Sequence, residues 1–304
     1  MTDRVIDLSE HAATLSIDRG LLAIEVGDSK VTVPAGEIAA VIISHPGTTV
    51  SGAALAALGA AGSVVVAADS VRLPALVGVG VVGNTIQTER IRAQVLVRKP
   101  VMKRLWQQIV RTKVERQGEA LRVATGTDQG LIDLAGSVRS GDPDNIEAQA
   151  ARRYWSGLMG TGFTREKEWH GFNATLDYGY AIVRAFVARS IVAAGLHPSL
   201  GLHHRNRYNP FCLADDLFEP FRPEVDCAVR RLWTRQGNSI SLDPITKKAL
   251  VAAVTRSRDC SGEMRRLGDA CQILAVSLVR CLAGEERRLA YPKMVGSGTG
   301  SDGC

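Results

Sequence analysis

The chain has 304 residues, 45% of them hydrophobic and 22% charged, with a formal net charge of +6. This composition suits a globular chain of one large domain or two ordinary ones, and no apolar run approaches the roughly 20 residues of a membrane helix. The first residues, MTDRVIDLSE, are polar and acidic and lack a signal-peptide layout, so the expected location is the cytoplasm.

The charge is unevenly distributed. Residues 1–83 hold four Lys/Arg and eight Asp/Glu, a net −4, which leaves +10 for the remainder. A polyanion is therefore expected to meet the second part. Of the six cysteines none forms a CxxC pair, which argues against a zinc knuckle; Cys260, Cys271 and Cys281 are expected to be buried free thiols.

The first part reads as strands. TLSIDRGLLAIEVGDSKVTV has short apolar runs separated by Asp-Arg-Gly and Gly-Asp-Ser turns, and IAAVIIS and GSVVVAA are candidates for buried strands. Between these two, SGAALAALGAAG reads as a small helix capped by Ser51 and stopped at Gly62. No GK[ST] follows it, so it is not a phosphate loop. The Gly-rich LPALVGVGVVGNT marks a domain boundary near residue 83.

Beyond that point the apolar period becomes helical. Residues 90–122 carry ten Lys/Arg in a helical pattern broken once at Pro100, read either as a solvated face or as a phosphate-binding one. SGDPDNIEAQAARRYWSGLMG predicts a helix capped by Asp142 with Pro143 at its first position, ended by Gly157 and Gly160. A long apolar helix closes at Gly195, and two more follow in PITKKALVAAVTRSR and EMRRLGDACQILAVSLVRCLAG. Residues 295–304 read as a flexible tail. The predicted fold class is α+β: a small β-rich domain over 1–83, then a larger all-α domain over 84–304.

The stretch GLHHRNRYNPFCLADDLFEPFRPEVD joins two histidines to a helix bearing Asp215, Asp216 and Glu219. Asp215 and Asp216 each share a helix face with Glu219, and Pro220 is expected to bend the helix beside the acids. Carboxylates gathered this closely need a cation. A divalent ion answers that need: oxygen ligands suit Mg²⁺ and an added imidazole shifts preference toward Mn²⁺. An ordinary ion-pair network with Arg205, Arg207 and Arg222 answers it equally well.

With LWQQIVRTKVERQGEAL, IEAQAARRYWSGLMG and NATLDYGYAIVRAFVARSIVAAGLHPSL leading into that stretch, the chain resembles the CRISPR-associated spacer-acquisition integrases, nearest their type II branch. The resemblance implies a metal-binding catalytic set of Glu147, His204 and Glu219, with Asp216 and His203 behind it. Arg152, Arg153, Arg205 and Arg222 are candidate phosphate contacts, and Tyr154, two helical turns after Glu147 on the same face, either meets nucleic acid or is a core tyrosine. The implied reaction is a Mg²⁺- or Mn²⁺-dependent transesterification, in which the 3′-hydroxyl of a captured DNA fragment attacks a CRISPR repeat. Water as nucleophile would make the same site a nuclease. The implied partners are DNA, a second copy of the chain, a small adaptation protein bridging two dimers, and the RNA-guided effector nuclease of the same system. The dimer is expected through the N-terminal domain, and arginine at Ile42 or Val65 is expected to give a monomer, or a misfolded chain if the residue is in the core. A stand-alone metal-dependent endonuclease on branched DNA and a non-catalytic DNA-binding scaffold are the alternatives.

Overall fold

The computed structural model describes residues 4–68, 74–81, 84–160, 163, 170–237, 240–260 and 263–292. The boundary expected near residue 83 and the tail at 295–304 lie outside the described residues.

The N-terminal part holds strands β1 (Arg4–Leu8), β2 (Thr14–Asp18), β3 (Leu21–Val26), β4 (Ser29–Val33), β5 (Ile38–Ile43) and β6 (Thr49–Val50). Helix α1 (Gly52–Ala60), β7 (Val64–Ala68) and β8 (Pro74–Gly78) complete it. Two four-stranded sheets result, ordered β4-β3-β2-β6 and β1-β5-β7-β8. The β2–β3 turn places Arg19 at φ 50° and Gly20 at φ 80°, the left-handed pair a two-residue hairpin needs. β5 reads IAAVII because it runs parallel between β1 and β7 and is buried along nearly its whole length. Ser51 caps α1, its Oγ accepting the Ala54 N–H at 3.2 Å.

The second part is helical: α2 (Gln87–Leu96), α3 (Lys99–Thr125), α4 (Leu131–Gly136), α5 (Ile146–Met159), α6 (His170–Ala193), α7 (Cys212–Phe218), α8 (Arg222–Gln236), α9 (Pro244–Thr255) and α10 (Leu267–Ala283). One short antiparallel pair, β9 (Arg258–Cys260) with β10 (Glu263–Arg265), interrupts it, so this part is not purely α. Three local expectations are corrected. Pro100 starts α3 instead of breaking a helix; the break falls at Val97 and Arg98, where Pro at the next helix's first turn needs no donor. α5 begins at Ile146, three residues after Pro143, with Asn145 in the cap position at φ 52°. Asp142 still caps it from a distance, accepting the N–H groups of Ile146 at 2.9 Å and Glu147 at 3.1 Å. Gly157 lies inside the helix, which ends at Gly160.

The two parts share a core. Ala39 and Ile42 of β5 pack into the cluster built by α3, α5, α6, α8 and α10, and Val64 and Val66 meet Ala185 of α6. Arg189 donates to Gly62 O at 2.7 Å, and Lys247 pairs with Glu10 at 3.1 Å. Ile42 and Val65 are 7% and 9% exposed, so arginine at either would break the core before it could divide a dimer. Among the described residues of this part, Val31, Leu55, Leu76 and Val81 are exposed large apolar residues. Cys271 and Cys281 are buried free thiols, whereas Cys227 is disulfide-bonded. Among the described residues no helix is long and apolar enough to cross a membrane.

Candidate active site

The middle of α3 is threaded through the helical core. Trp106, Ile109, Val110 and Val114 are buried on it, and Lys113 falls in the same register, 8% exposed. A lysine at a core position needs an acid, and it has two. Its Nζ meets Glu147 Oε1 at 2.5 Å and touches Glu219 Oε2. Glu147 comes from the first turn of α5 and Glu219 from a 3-10 turn, Glu219–Phe221, between α7 and α8. Pro220 sits in that turn, so the chain tightens from α to 3-10 winding at the glutamate. A single ammonium thus joins two carboxylates 72 residues apart in sequence.

Glu219 is 4% exposed. Arg222 Nε donates to its Oε1 at 2.8 Å. Its Oε2 touches the ammonium but, among the described residues, accepts no well-directed hydrogen bond. Burial alone would raise the Glu219 pKa, but Lys113 and Arg222 outweigh it and hold the carboxyl below the ordinary value. Burial would likewise push the Lys113 ammonium down, yet Glu219 and Glu147 hold it above the ordinary lysine value. Both groups are charged at neutral pH.

The histidine loop is organised by Asp216, which has no solvent exposure. Its Oδ2 accepts the N–H of Leu202 at 2.5 Å and of His203 at 3.0 Å; its Oδ1 accepts the N–H of His204 at 3.1 Å. The His204 ring places Nδ1 at 2.6 Å from the same Oδ1. A carboxylate can only accept, so Nδ1 carries a hydrogen and, in the neutral ring, Nε2 keeps the lone pair. The hydrogen bond to Asp216 foremost raises the His204 pKa. Gly201 makes this wrap possible: a Cβ there would stand 2.4 Å from His204 O and 2.9 Å from Asp216 Oδ2. Trp106 braces both rings, stacked on His203 with centroids 4.2 Å apart and edge-on to His204 at 5.7 Å.

His204 and Glu219 line a cavity of about 450 Å³ together with Tyr180, Arg184 and Arg222. His204 also lines a second cavity of about 410 Å³, with Arg205, Asn206 and Arg207.

The remaining candidates divide. Arg152, Arg153 and Arg205 are exposed and free to meet phosphate. Tyr154 is not: it is fully buried, its hydroxyl donating to Asp226 at 3.0 Å, and burial foremost, then Asp226, lifts its pKa far above the usual phenol. Its apolar ring gains more from the core than from a surface position, and it stacks on no nucleic acid. Arg222 is also spent internally, on Glu219 and over the rings of Phe218 and Tyr180 at 4.6 and 4.8 Å. Within the basic stretch 90–122, Lys113 is in the site and Arg116 is buried, donating to Pro220 O at 2.8 Å and Pro292 O at 2.6 Å. The phosphate-binding reading there narrows to exposed residues such as Arg92, Lys99, Lys103 and Arg111. Asp215 faces Arg184, Oδ1 to Nε at 2.6 Å, so it belongs to an ion pair and not to the two-glutamate cluster.

Sequence reading missed Lys113, Trp106, Arg184 and Tyr208. Lys113 carried a signal: it lies seven residues after Trp106 and four after Ile109, on the apolar face. Tyr208 is 76% exposed beside the second cleft with the Arg207 guanidinium 4.6 Å over its ring, and stood in plain view in the histidine stretch.

The donor set fits a divalent cation: two carboxylates aimed at one cation, a buried glutamate oxygen without a good hydrogen bond, and an imidazole whose free nitrogen is fixed by its partner. Among the described residues, however, no three His, Cys, Asp or Glu side chains already stand in ligating geometry. The ammonium holds the point between the glutamates.

The family described as CRISPR associated protein Cas1 matches residues 7–249. The CRISPR-associated endonuclease Cas1 of Neisseria meningitidis serogroup C is 37% identical over 247 residues, 80% of this chain and 81% of that one. Among solved structures, a casposase bound to integration product superposes with a TM-score of 0.78 at 17% identity, over 94% of this chain and 92% of the other. A Cas6-RT-Cas1–Cas2 complex superposes at 0.74 and 17% identity, over 94% of this chain and 35% of that one. The structural matches establish a shared α+β fold, and the family match together with the Neisseria relative establishes that this chain belongs to the CRISPR-associated Cas1 family.

Proposed function

We propose that this chain is a metal-dependent DNA integrase and endonuclease of CRISPR adaptation, acting through Glu147, His204 and Glu219. The observation that carries the proposal is the pairing of Glu147 and Glu219 on one cation beside a histidine whose Nδ1 is tied to Asp216. Its endonuclease relative and its fold neighbour bound to an integration product support the same chemistry.

Glu147, Glu219 and His204 Nε2 would hold Mg²⁺ or Mn²⁺. Bound there, the ion supplies Lewis-acid polarisation of the scissile phosphate and stabilises charge on the attacking and leaving oxygens. Asp216 keeps the imidazole in one tautomer and orientation, and Trp106 limits its rotation. Arg222 holds Glu219 in place from the side away from Lys113. In the joining reaction the fragment's 3′-hydroxyl oxygen bonds to phosphorus as the target strand's P–O bond breaks. One phosphodiester replaces another, and no covalent protein intermediate is needed. Water in place of the hydroxyl gives hydrolysis. Arg152, Arg153 and Arg205 anchor the DNA backbone, and the two clefts that His204 helps to line suit the two strands that must meet there.

The partners belong to the same proposal: DNA, a second copy of this chain through the N-terminal part, a small adaptation protein, and the effector nuclease. A fold neighbour's complex with Cas2 supports the small partner. The deciding experiment mixes the protein, Mn²⁺, a duplex ending in 3′-hydroxyl and a repeat-containing target. Joined products are expected, absent when the fragment ends in a 3′-deoxy nucleotide and absent in Glu147→Ala. Cleavage alone, unaffected by the 3′ end, would make it a stand-alone endonuclease; full DNA binding with neither joining nor cleavage would make it a scaffold.

A further inference from the structure

Lys113 carries the sign of charge least suited to a cation site, yet it occupies the centre of this one. Its Nζ lies between the two carboxylates that would ligate a metal, at 2.5 Å from Glu147 Oε1 and against Glu219 Oε2. It is not a mobile surface lysine that happens to reach in: its side chain is 10% exposed, on a helix turn walled by Ile109, Val110 and Val114. Formal charges balance without any metal, with Glu147 and Glu219 matched by Lys113 and Arg222.

A divalent ion cannot simply be added to this arrangement. Each glutamate turns one oxygen toward a common point, and that point holds the ammonium. Mg²⁺ takes its oxygens at about 2.1 Å, so an ion bridging the same two oxygens would sit in contact with Nζ, two cations side by side. One of them must leave.

We propose that Lys113 is the resident counter-cation of the metal-free centre, and that metal binding is an exchange in which the ion displaces its ammonium from Glu147 and Glu219. The lysine then has two effects. It keeps two buried acids together and ready while no metal is bound. It also sets a threshold, because the free ion must outcompete a tethered positive charge. This inference rests on reading the centre as a metal site.

The test compares the full-length protein with Lys113→Met, which keeps the bulk and removes the charge. Mn²⁺ binding is followed without DNA by electron paramagnetic resonance of the free ion, and thermal unfolding is measured in chelator and in saturating Mn²⁺. The exchange predicts that Lys113→Met melts lower in chelator, binds Mn²⁺ at least tenfold more tightly, and gains more in Tm from Mn²⁺ than the unaltered protein. Lys113→Arg, which restores a charge, should bind Mn²⁺ no more tightly than the unaltered protein. Equal or weaker Mn²⁺ binding by Lys113→Met overturns the exchange while leaving the metal site intact. Should Lys113→Met fold only with metal present, its rate of Mn²⁺ loss into chelator decides: slower than the unaltered protein supports exchange, equal or faster overturns it. An unaltered protein that is folded but binds no Mn²⁺ overturns the metal reading itself, and the exchange with it.

Discussion

Replacing Asp216 by Asn changes one atom and no volume, yet it should disable the histidine. The carboxylate accepts four hydrogen bonds, two on each oxygen, and every donor is fixed: three are backbone N–H groups of Leu202, His203 and His204. An amide has one acceptor end. Facing its NH₂ toward Leu202 and His203 would set it against two immovable donors. Facing it toward His204 sets it against one, because the imidazole can shift its hydrogen from Nδ1 to Nε2 and accept at Nδ1. The second arrangement wins. It leaves the His204 N–H without its acceptor, which costs about 1–3 kcal/mol, and turns the remaining charge-assisted bonds into neutral ones. A total near ~3 kcal/mol is expected, less than the ~5–15 kcal/mol stability of an ordinary domain. The variant therefore folds, but Nε2 carries the hydrogen and cannot ligate. Mn²⁺ affinity should fall about 10–100-fold, the usual effect of losing a ligand's supporting partner. Because Asp216 is what raises the imidazole pKa, that pKa should also drop. Nitrogen-15 NMR of the ring reads the tautomer, denaturant titration the stability, and Mn²⁺ titration the affinity. A variant with the wild-type tautomer and unweakened Mn²⁺ binding would refute the assignment of Asp216.

The two glutamates should separate in stability although both are expected to abolish strand joining. Glu219→Ala takes the carboxylate from Arg222 and one of two from Lys113 at an almost fully buried position and should cost about 3 kcal/mol or more by denaturant titration, whereas Glu147→Ala leaves both cations their Glu219 partner and should cost clearly less. Tyr154→Phe removes a buried hydroxyl from Asp226 and should lower stability by about 1–2 kcal/mol, with DNA affinity unchanged in a binding titration. Neutralising Arg152, Arg153 and Arg205 together should weaken binding to all duplexes alike and flatten log K against log salt by roughly 0.9 for each phosphate left unneutralised; Arg116→Gln should reduce stability and leave that slope alone. Asp243 caps α9 through the Thr246 N–H at 2.7 Å, which holds its carboxyl below the ordinary range. With the folded pKa below the unfolded one, this contribution is full above about pH 4 and fades as pH falls through the folded value. Calorimetry should therefore show Asp243→Ala lowering Tm at neutral pH and by progressively less in acid.

Much of the architecture was legible because local rules and tertiary packing agree. The Arg19-Gly20 turn, the Ser51 cap and the unbroken apolar run of β5 each have one structural meaning, and the chain uses it. Legibility failed where two local signals competed. Asp142 followed by Pro143 is a strong helix start, but the chain keeps only the carboxylate as a cap and begins the helix at Ile146. Pro100 reads as a breaker inside a continuous helical period, and only the location of the true break shows it to be a beginning.

The site divides along a different line, between residues that announce a chemistry and residues that acquire one by position. Histidine beside a run of acids announces itself. Lysine on a basic helix does not, because sequence gives its charge and not its depth. Ten cations lie between Arg90 and Arg122, and in sequence they look alike. In the fold Lys113 neutralises two glutamates, Arg116 ties α3 to the backbone of the turn after Glu219, and others remain exposed to solvent. Register separates them in part, since Lys113 lies with Trp106 and Ile109 on the face that must be buried. A buried lysine then requires an acid, and the fold meets that requirement twice over, from α5 with Glu147 and from the turn before α8 with Glu219. The same reasoning moves Tyr154 away from DNA: on α5 it lies four and eight residues after Ala150 and Ile146, both buried, and its hydroxyl needs the acid that Asp226 supplies. Polar residues that fall on an apolar face are thus where a sequence calls for internal partners, and a lysine and a tyrosine that charge and residue type alone could place against DNA are both accounted for in this way.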